Sequence, residues 1–538
     1  MIWIGRLIAP YQCIKKKGMV LGMKQQRSPN TYTPKERNLY LTGLLGQNMI
    51  YNIIGTGLVF YFQSVLFIPA MATGVIFAIA RVWDAINDPM MGTIVDRTNT
   101  KWGKCRPYLI FVPAAVCVIT ILCFCNGIYG SQNSSTVNGL IIAWAGVSYI
   151  LWGMTYTVGD IPLWGITARM TDDENDRASL LSLARIAGGV GGIVLAIIVP
   201  LSQAVGNSLT KSQGLSTQKG QQFGFIIVAV ILSVIGCGLF QLSSFAKERV
   251  KSSDEHYTIK ENFQLMWRNR PFRQIMISSI LRAPIMLLMM VAMTLLSYYY
   301  GDYNQKSYVV YMIVLGGGIF GGQFIAMAFA PMLVKKFEKK KVYNISSIAS
   351  GIAFALIFVI YKLAPNKLDQ PLWLAICCVV FTIAAAGMGI VNVYQSVMIA
   401  DTIDYEEYEH GIRPDGVFFA GQSFCTKLNS GIAALIQGIV YSVVGFSGEG
   451  VEKVNALLEA GASFKADPAF EPYRMAMFFL CSIPPAIGML LSVLPMLHYD
   501  LPDKKHATVL EELRIRRQEK AVLFFEMDSA VTGSLQRA

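Results

Sequence analysis

The segment Ala70 to Gly92, AMATGVIFAIARVWDAINDPMMG, decides the fold. It starts as an uninterrupted run of apolar and small residues, yet Arg81, Asp84, Asn87 and Asp88 follow before the run ends. About 20 apolar residues in a helix cross a hydrocarbon core roughly 30 Å thick. An aspartate near the centre of such a helix costs about 2.5–3.5 kcal/mol on insertion scales. Two of them on one segment therefore need a partner. Asp84 and Asp88 are four residues apart and share a helix face, with Asn87 beside them and Arg81 one turn away. The segment reads either as a membrane helix that presents a cluster of oxygens to a ligand, or as one whose Arg81 and Asp84 form a structural ion pair.

The rest of the chain is built in the same way. Of its 538 residues 54% are hydrophobic and only 15% charged, with a mean hydropathy of +0.46; an average soluble domain carries about 25% charge. Apolar runs recur near 39–65, 70–95, 107–129, 138–170, 179–203, 223–245, 274–299, 308–334, 342–363, 371–401, 416–446 and 472–497. The expectation is an all-α membrane protein of twelve transmembrane helices. The net charge of +12 does not mark a nucleic-acid protein, because the Lys and Arg fall in short clusters between apolar runs and not on one solvated face with aromatics. The ten cysteines form no CxxC pair or even ladder, so neither a zinc site nor a disulfide framework is indicated. His256, His410, His498 and His506 fall in predicted loops or the tail.

Basic residues set the orientation. The 2–3 loop DRTNTKWGKCRP, the stretch from Lys247 to Arg273 and the 8–9 loop KKFEKKK are rich in Lys and Arg, whereas SVLFIP and GSQNSSTVN contain none. With an even helix count both termini are cytoplasmic, in a cell membrane. The longest internal connection divides the chain into a six-helix bundle over 36–245, a cytoplasmic loop over 246–273 and a second six-helix bundle over 274–497. Within that loop, the spacing of Ile259, Phe263 and Met266 allows a surface helix. Residues 1–35 form an N-terminal extension, read as an untidy translation start with Met19 or Met23 as initiator, and 498–538 a cytoplasmic tail that opens with a short helix over 503–517. The loops GTIVDRTNTKWGKCRP and APMLVKKFEKKKVY echo each other faintly across the halves. Such repeats, with a substrate site at the midplane, are an arrangement of secondary transporters.

Other spans carry polar residues at membrane depth. In YILWGMTYTVGDIPLWG, Thr157, Asp160 and Trp164 form one stripe on span 4. Span 5 carries Arg185 among glycines that permit close helix approach, and span 11 carries Lys427. If spans 2, 4, 5 and 11 face one cavity, three carboxylates meet two cations and the sum is near minus one. That balance suits a monovalent cation, and the neutral donors and acceptors around it suit a polyol. Asp401, Asp404, Glu406, Glu407 and Arg413 lie at the cytoplasmic end of span 10, where a structural or gating role is expected.

RVWDAINDPMMG, RTNTKWGKCRP, YILWGMTYTVGDIPLW and ADTIDYEEYEHGIR resemble the glycoside-pentoside-hexuronide:cation symporter family (melibiose permease-like) of the major facilitator superfamily, over about Glu36 to Arg517. The resemblance implies two pseudo-symmetric six-helix bundles of the major facilitator fold and no enzyme activity. It also implies sugar or glycoside uptake by alternating access, coupled to Na⁺ or H⁺, in a chain that works as a monomer without a cofactor or any metal beyond the coupling ion. It assigns Asp84, Asn87, Asp88 and Thr157 to the cation, Asp160, Trp164 and Arg185 to the sugar, and Lys427 to neutralising the carboxylates. Two positions depart from the pattern. A Lys-Asp pair on span 1 is replaced by Gln47 and Asn48, and a tryptophan of the second bundle by Asn392, with Tyr394 nearby. A pocket that has lost a carboxylate while keeping Arg185 and Lys427 leaves a uronide or glucuronide as an alternative cargo, and a lysolipid-like substrate as another.

Overall fold

The computed structural model describes residues 31–171, 174–249, 259–301, 310–412 and 415–516. Residues 1–30 and Arg413 lie outside the described residues, as does the side chain of Arg185. Eleven described helices are long and apolar enough to cross a membrane. The first expected span is also a continuous helical segment, α-helical over Pro34–Asn52 and then π-helical over Ile53–Leu58 and Tyr61–Val65. Its apolar average is lowered by Gln47, Asn48, Asn52 and Gln63, of which Gln47 and Gln63 are buried in the protein.

Local chemistry starts this helix. Pro34 follows Thr33, whose backbone N–H donates to Glu36 Oε2 at 2.9 Å while the Glu36 N–H donates back to Thr33 Oγ1, a reciprocal cap. Arg249, just after span 6, donates to the same carboxylate at 2.7 Å. Span 2 is Ala70–Arg97, span 3 Arg106–Phe124 and span 4 Ser135–Gly165, the last capped by Ser134. Span 5 departs from the expected 179–203. It consists of two helices, Glu174–Gly191 and Val194–Gln213, broken where the run GGVGG offers little helix propensity. Span 6 is Thr217–Gln241.

Span 7 runs as Arg270–Leu281, Ala283–Met286, Leu287–Leu295 and a π-helical end, Leu296–Tyr300. Spans 8 and 9 are Gly317–Lys336 and Lys339–Leu363. Span 10 outlasts its expected end at 401: the helix Pro371–His410 closes only at Gly411, which takes a left-handed φ of 72°. Span 11 is Asp415–Val444 and span 12 is Glu471–Leu491 with Val493–Leu497. The amphipathic helix expected in the central loop is Ile259–Arg268, and the tail helix covers 503–516.

Each half has its own apolar core. Tyr61, Phe124, Trp152 and Phe225 belong to one, and Phe272, Phe354, Tyr394 and Phe478 to the other. In the first half span 1 packs on spans 5 and 6, span 2 on 4, and span 3 on 4 and 6; in the second, span 7 packs on 12, span 8 on 10, and span 9 on 10 and 12. The faint loop repeat has a structural counterpart. The backbone N–H groups of Lys104, Cys105 and Arg106, which open span 3, donate to the carboxylate of Glu248 at 3.1, 2.7 and 3.2 Å. The N–H of Lys339, which opens span 9, donates to Asp503 at 3.0 Å. Thus a carboxylate just after the last span of each half caps the first turn of that half's third span, where it also meets the positive end of the helix dipole.

Span 1 begins and span 12 ends on the same, terminal face; the opposite face is distal. The halves meet through spans 2 and 11. On the distal side these helices nearly touch. A Cβ on Gly74 would stand 2.8 Å from the Ala434 carbonyl oxygen, and one on Gly438 2.7 Å from that of Ala70. Gln437 donates to Gln63 at 3.4 Å, and Asn455, on the distal helix Glu449–Glu459, to the Ser64 carbonyl at 3.3 Å. At Gly92, toward the terminal face, no described atom lies within 4 Å of a built Cβ. The seam is shut distally, and at Gly92 nothing described stands against span 2.

Gly74→Ile should force this seam. Overpacking costs about 1–3 kcal/mol, enough to move a two-state closure roughly tenfold. A cysteine introduced as S64C, buried under the closed seam, should then react about tenfold faster with a membrane-impermeant maleimide. An unchanged rate would show that the glycine contact does not hold the seam.

Candidate functional site

Span 2 carries the charge into the interior, and two contacts divide it. Arg81 Nη1 donates to Asp84 Oδ2 at 2.8 Å, and Arg81 Nη2 donates to the Tyr149 hydroxyl of span 4 at 2.8 Å. All three side chains are buried. Asp84 Oδ1 lies 3.1 Å from where a Cβ on Gly153 would stand, so the absence of a side chain there makes room for the carboxylate. Arg81, expected as a structural or gating charge, is the immediate counter-ion of Asp84.

Asp88, one turn on, reaches across the molecule. Its Oδ2 is bonded to the Lys427 ammonium of span 11, and its Oδ1 accepts from Thr157 Oγ1 of span 4 at 3.1 Å. This is an ion pair between the two halves at membrane depth. Neither member is fully buried, with side-chain exposures of 24% for Asp88 and 18% for Lys427. Asn87 lies between the two aspartates in sequence, and its amide nitrogen is buried with no hydrogen-bond partner. The four residues expected to hold a cation, Asp84, Asn87, Asp88 and Thr157, thus come together, with Lys427 on the same carboxylate as Thr157.

Asp160 is not held by a cation in the described contacts. Gln47 Nε2 donates to its Oδ1 at 2.6 Å and also bonds the Tyr156 hydroxyl. Asn48 Nδ2 donates to Gln47 Oε1 at 2.7 Å, so the two amides that replace a charged pair on span 1 form one chain ending on Asp160. Trp164 interacts with Asp160 from one turn further along span 4, and Tyr156 stacks on Trp152 at 4.7 Å between ring centroids. An aromatic face beside a carboxylate and two amides is chemistry that suits a sugar ring: the face packs on its C–H groups while the polar atoms take hydroxyls. Arg185 belongs by its backbone to the helix Glu174–Gly191, which packs on span 1.

Asn392 lies in the other half and is exposed on span 10. It accepts a hydrogen bond from Arg282 at 3.3 Å. Reading the sequence overlooked Arg282, although SSILRAPIM places an arginine inside an apolar span as conspicuously as RVWDAIND does. Its guanidinium is buried, and its hydrogen bonds go to neutral groups: Gln395, Asn392 and, at 3.4 Å, the Tyr343 hydroxyl.

Of the residues expected to gate, Asp401, Asp404 and Glu407 lie apart from this centre, near the terminal face. Asp401 binds Lys339 at the start of span 9, and Asp404 faces His506 Nε2 at 3.2 Å. His506 lies in the tail helix 503–516 and is buried. Glu407 lies on the last turn of the same span, and the adjacent Glu406, wholly buried, is bonded by Arg268 and by Asn269 Nδ2 at 3.0 Å. These contacts tie the central and tail helices to span 10.

A family profile described as MFS/sugar transport protein matches residues 39–503. The chain is 27% identical over 428 residues to the isoprimeverose transporter of Lactiplantibacillus pentosus, covering 78% of this chain and 83% of that one. It is 23% identical over 489 residues to the glucuronide carrier protein homolog of Escherichia coli (strain K12), covering 91% and 97%. Among solved structures, the inward-open xylose transporter XylE from E. coli superposes with a TM-score of 0.51 at 14% identity, over 88% of this chain and 99% of that one. An inward-facing bacterial homolog of the human lysosomal transporter Spinster gives 0.55 at 15%, over 87% and 95%. These are transporters with the major facilitator fold.

If Lys427 and Asp88 stabilise each other, removing one partner should cost more than removing both. Asp88→Asn, Lys427→Met and the double variant, compared by thermal unfolding, should give a coupling energy of about 0.5–3 kcal/mol, the range for residues in direct contact. Additive effects would mean that the pair is not formed.

Proposed function

The chain belongs to the MFS/sugar transport protein family and is therefore a multi-pass membrane transporter; from that premise we propose that it is a cation-coupled symporter of a sugar or glycoside. In this reading Na⁺ or H⁺ enters at Asp84, Asn87, Asp88 and Thr157, and the sugar at Asp160, Trp164 and Arg185, with Asn48 and Asn392 at its edges. The protein sits in the plasma membrane with its termini in the cytoplasm. The terminal face is then the inner one, and the seam that is shut on the distal, outer side fits a carrier closed to the outside.

The observation that carries the proposal is the Asp88–Lys427 pair between the halves. With no cation bound, Lys427 balances Asp88. A cation that takes the Asp88 oxygens removes the reason for Lys427 to stay there, and the tie between spans 2 and 11 loosens at its centre. Asp88 is also bonded to Thr157, three residues from Asp160 on the same helix. Ion binding thereby fixes the part of span 4 that receives the sugar, which gives positive cooperativity between the two ligands. A proton would act at the same carboxylate by neutralising it, so the ionic link to Lys427 is the switched element in either case.

Arg282 favours an acidic cargo as a second reading. A buried guanidinium whose hydrogen bonds go to neutral acceptors is costly in a low-dielectric interior. The carboxylate of a uronide placed beside Asn392 would compensate it. A lysolipid-like cargo has less support, since the groups brought together around Asp160 are amides, a carboxylate and an aromatic.

Two experiments test these readings. Uptake of a glycoside into vesicles under an imposed inward Na⁺ gradient at fixed pH should rise if Na⁺ is the coupling ion and respond only to a pH gradient if H⁺ is; indifference to both would sink the symport proposal. Arg282→Met should weaken uronide binding by about tenfold or more, the loss of one charge-assisted hydrogen bond of about 1.5–3 kcal/mol, while sparing the matching neutral glycoside. Equal effects on both would remove the acidic-cargo reading.

A further inference from the structure

Several cations near the terminal face are held by carboxylates: Arg249 by Glu36, Arg270 by Asp500 and Lys341 by Glu338. Three others are placed differently. Among the described residues Lys101, Arg273 and Lys336 have no carboxylate within ion-pair distance, and each lies over an aromatic ring. The Lys101 ammonium is 5.0 Å from the centre of the Trp102 ring, the Arg273 guanidinium 5.4 Å from that of Trp267, and the Lys336 ammonium 5.7 Å from that of Phe337. Arg273 also donates to the Trp267 carbonyl at 3.5 Å. These rings are exposed, at 41%, 66% and 50% for Trp102, Trp267 and Phe337. On the distal face the pattern is the reverse: Lys465 and Arg474 lie over Tyr299 and Phe464, whose rings are wholly buried.

Each pair stands at the terminal-face end of an apolar stripe on the outside of the helices. On span 3 Phe111, Val118 and Leu122 are exposed, and the Trp102 ring meets Phe111 edge-on at 6.1 Å. On span 8 the exposed Ile325, Phe329 and Met332 recur at helical spacing and lead to Lys336. On span 7 the exposed Ile277 follows Arg273 by one turn. Exposed apolar side chains on a membrane-crossing helix meet lipid tails. The rings at the ends of these stripes therefore lie where tails give way to headgroups, the level at which aromatic residues collect, and cations at that level are within reach of lipid phosphates. The cation of a zwitterionic headgroup would need the face of the ring, and the protein's own cation occupies it.

We propose that these three cation–ring pairs bind the phosphate groups of anionic phospholipids in the leaflet at the terminal face. The ring holds the cation in place and shields one side of it, and its remaining N–H groups donate to a phosphate oxygen, a charge-assisted hydrogen bond. One pair belongs to the 2–3 loop of the first half, and the other two to the start of span 7 and the end of span 8 in the second half. Lipid thereby grips both halves on the face opposite the shut seam.

Native mass spectrometry of the full-length protein in micelles containing equimolar phosphatidylglycerol and phosphatidylcholine tests this. Expected is preferential, saturable retention of phosphatidylglycerol. K101Q/R273Q/K336Q should raise its half-saturating concentration about fivefold at each site, the equivalent of roughly 1 kcal/mol for each basic residue at an anionic surface. K211Q/K219Q, which removes two exposed lysines from the distal 5–6 loop, should leave it unchanged, so that a site is told apart from net charge. Because the three cations have no carboxylate partner, the triple variant should unfold in phosphatidylcholine micelles at the wild-type temperature. Four results would overturn the proposal: equal retention of the two lipids, an unchanged affinity in the triple variant, an equal loss in K211Q/K219Q, or a lower Tm of the triple variant without anionic lipid, which would show that the cations serve the fold. The assay reads neither cargo nor coupling ion, so its failure would leave the transport proposal standing.

Discussion

A carboxylate and an ammonium held together across the middle of a bilayer are the constraint on which the rest of this structure depends. Asp88 cannot stay charged at that depth without a partner, and the partner it has, Lys427, belongs to the other half of the molecule. Spans 2 and 11 are therefore joined at their centre by charge and on the distal side by glycine-mediated contact. Of the two joints only the first can be altered by an ion. A rearrangement of the halves that depends on ligand must act on it.

The two aspartates of span 2 are not equivalent. Asp84 is buried, salt-bridged to its own helix through Arg81 and braced by Tyr149 of span 4. It is a fixed negative charge already balanced within one half. Asp88 is more exposed and shared between halves, so it is the carboxylate that can exchange partners. Asp160, the proposed sugar-binding carboxylate, lies three residues from Thr157, which bonds Asp88. In the proposed symport, ion and sugar would communicate through less than one turn of one helix, without a long pathway.

The hydrophobic runs made the spans legible, because a bilayer demands continuous apolar helices, and intramembrane charge made Asp84, Asp88, Asp160 and Lys427 legible, because such charge is costly. Local pattern could not give partnership. Arg81 and Asp84 at helical spacing suggested their pair, but nothing in Gln47 announces that it will hold Asp160 more than a hundred residues away. Arg282 was legible by the same rule as Asp84, as a charge inside an apolar run, but its neutral partners Asn392 and Gln395 lie more than a hundred residues away. The break in span 5 follows from its glycines, whereas the late end of span 10 depends on Gly411 and on Lys339, Arg268 and His506, which accept its acidic last turns. The loops that lead into spans 3 and 9 echo each other in sequence; that Glu248 and Asp503, from distant segments, cap those helix starts could be seen only in three dimensions.

The claim that Asp88 links ion to sugar is tested most directly by calorimetric titration of glycoside into wild type and Asp88→Asn, with and without the coupling cation. A coupling free energy of about 1–3 kcal/mol corresponds to a roughly 5–150-fold change in affinity. The account predicts an enhancement of that order by the cation in wild type and none in Asp88→Asn, which should still bind the sugar. The same enhancement in both proteins would contradict it.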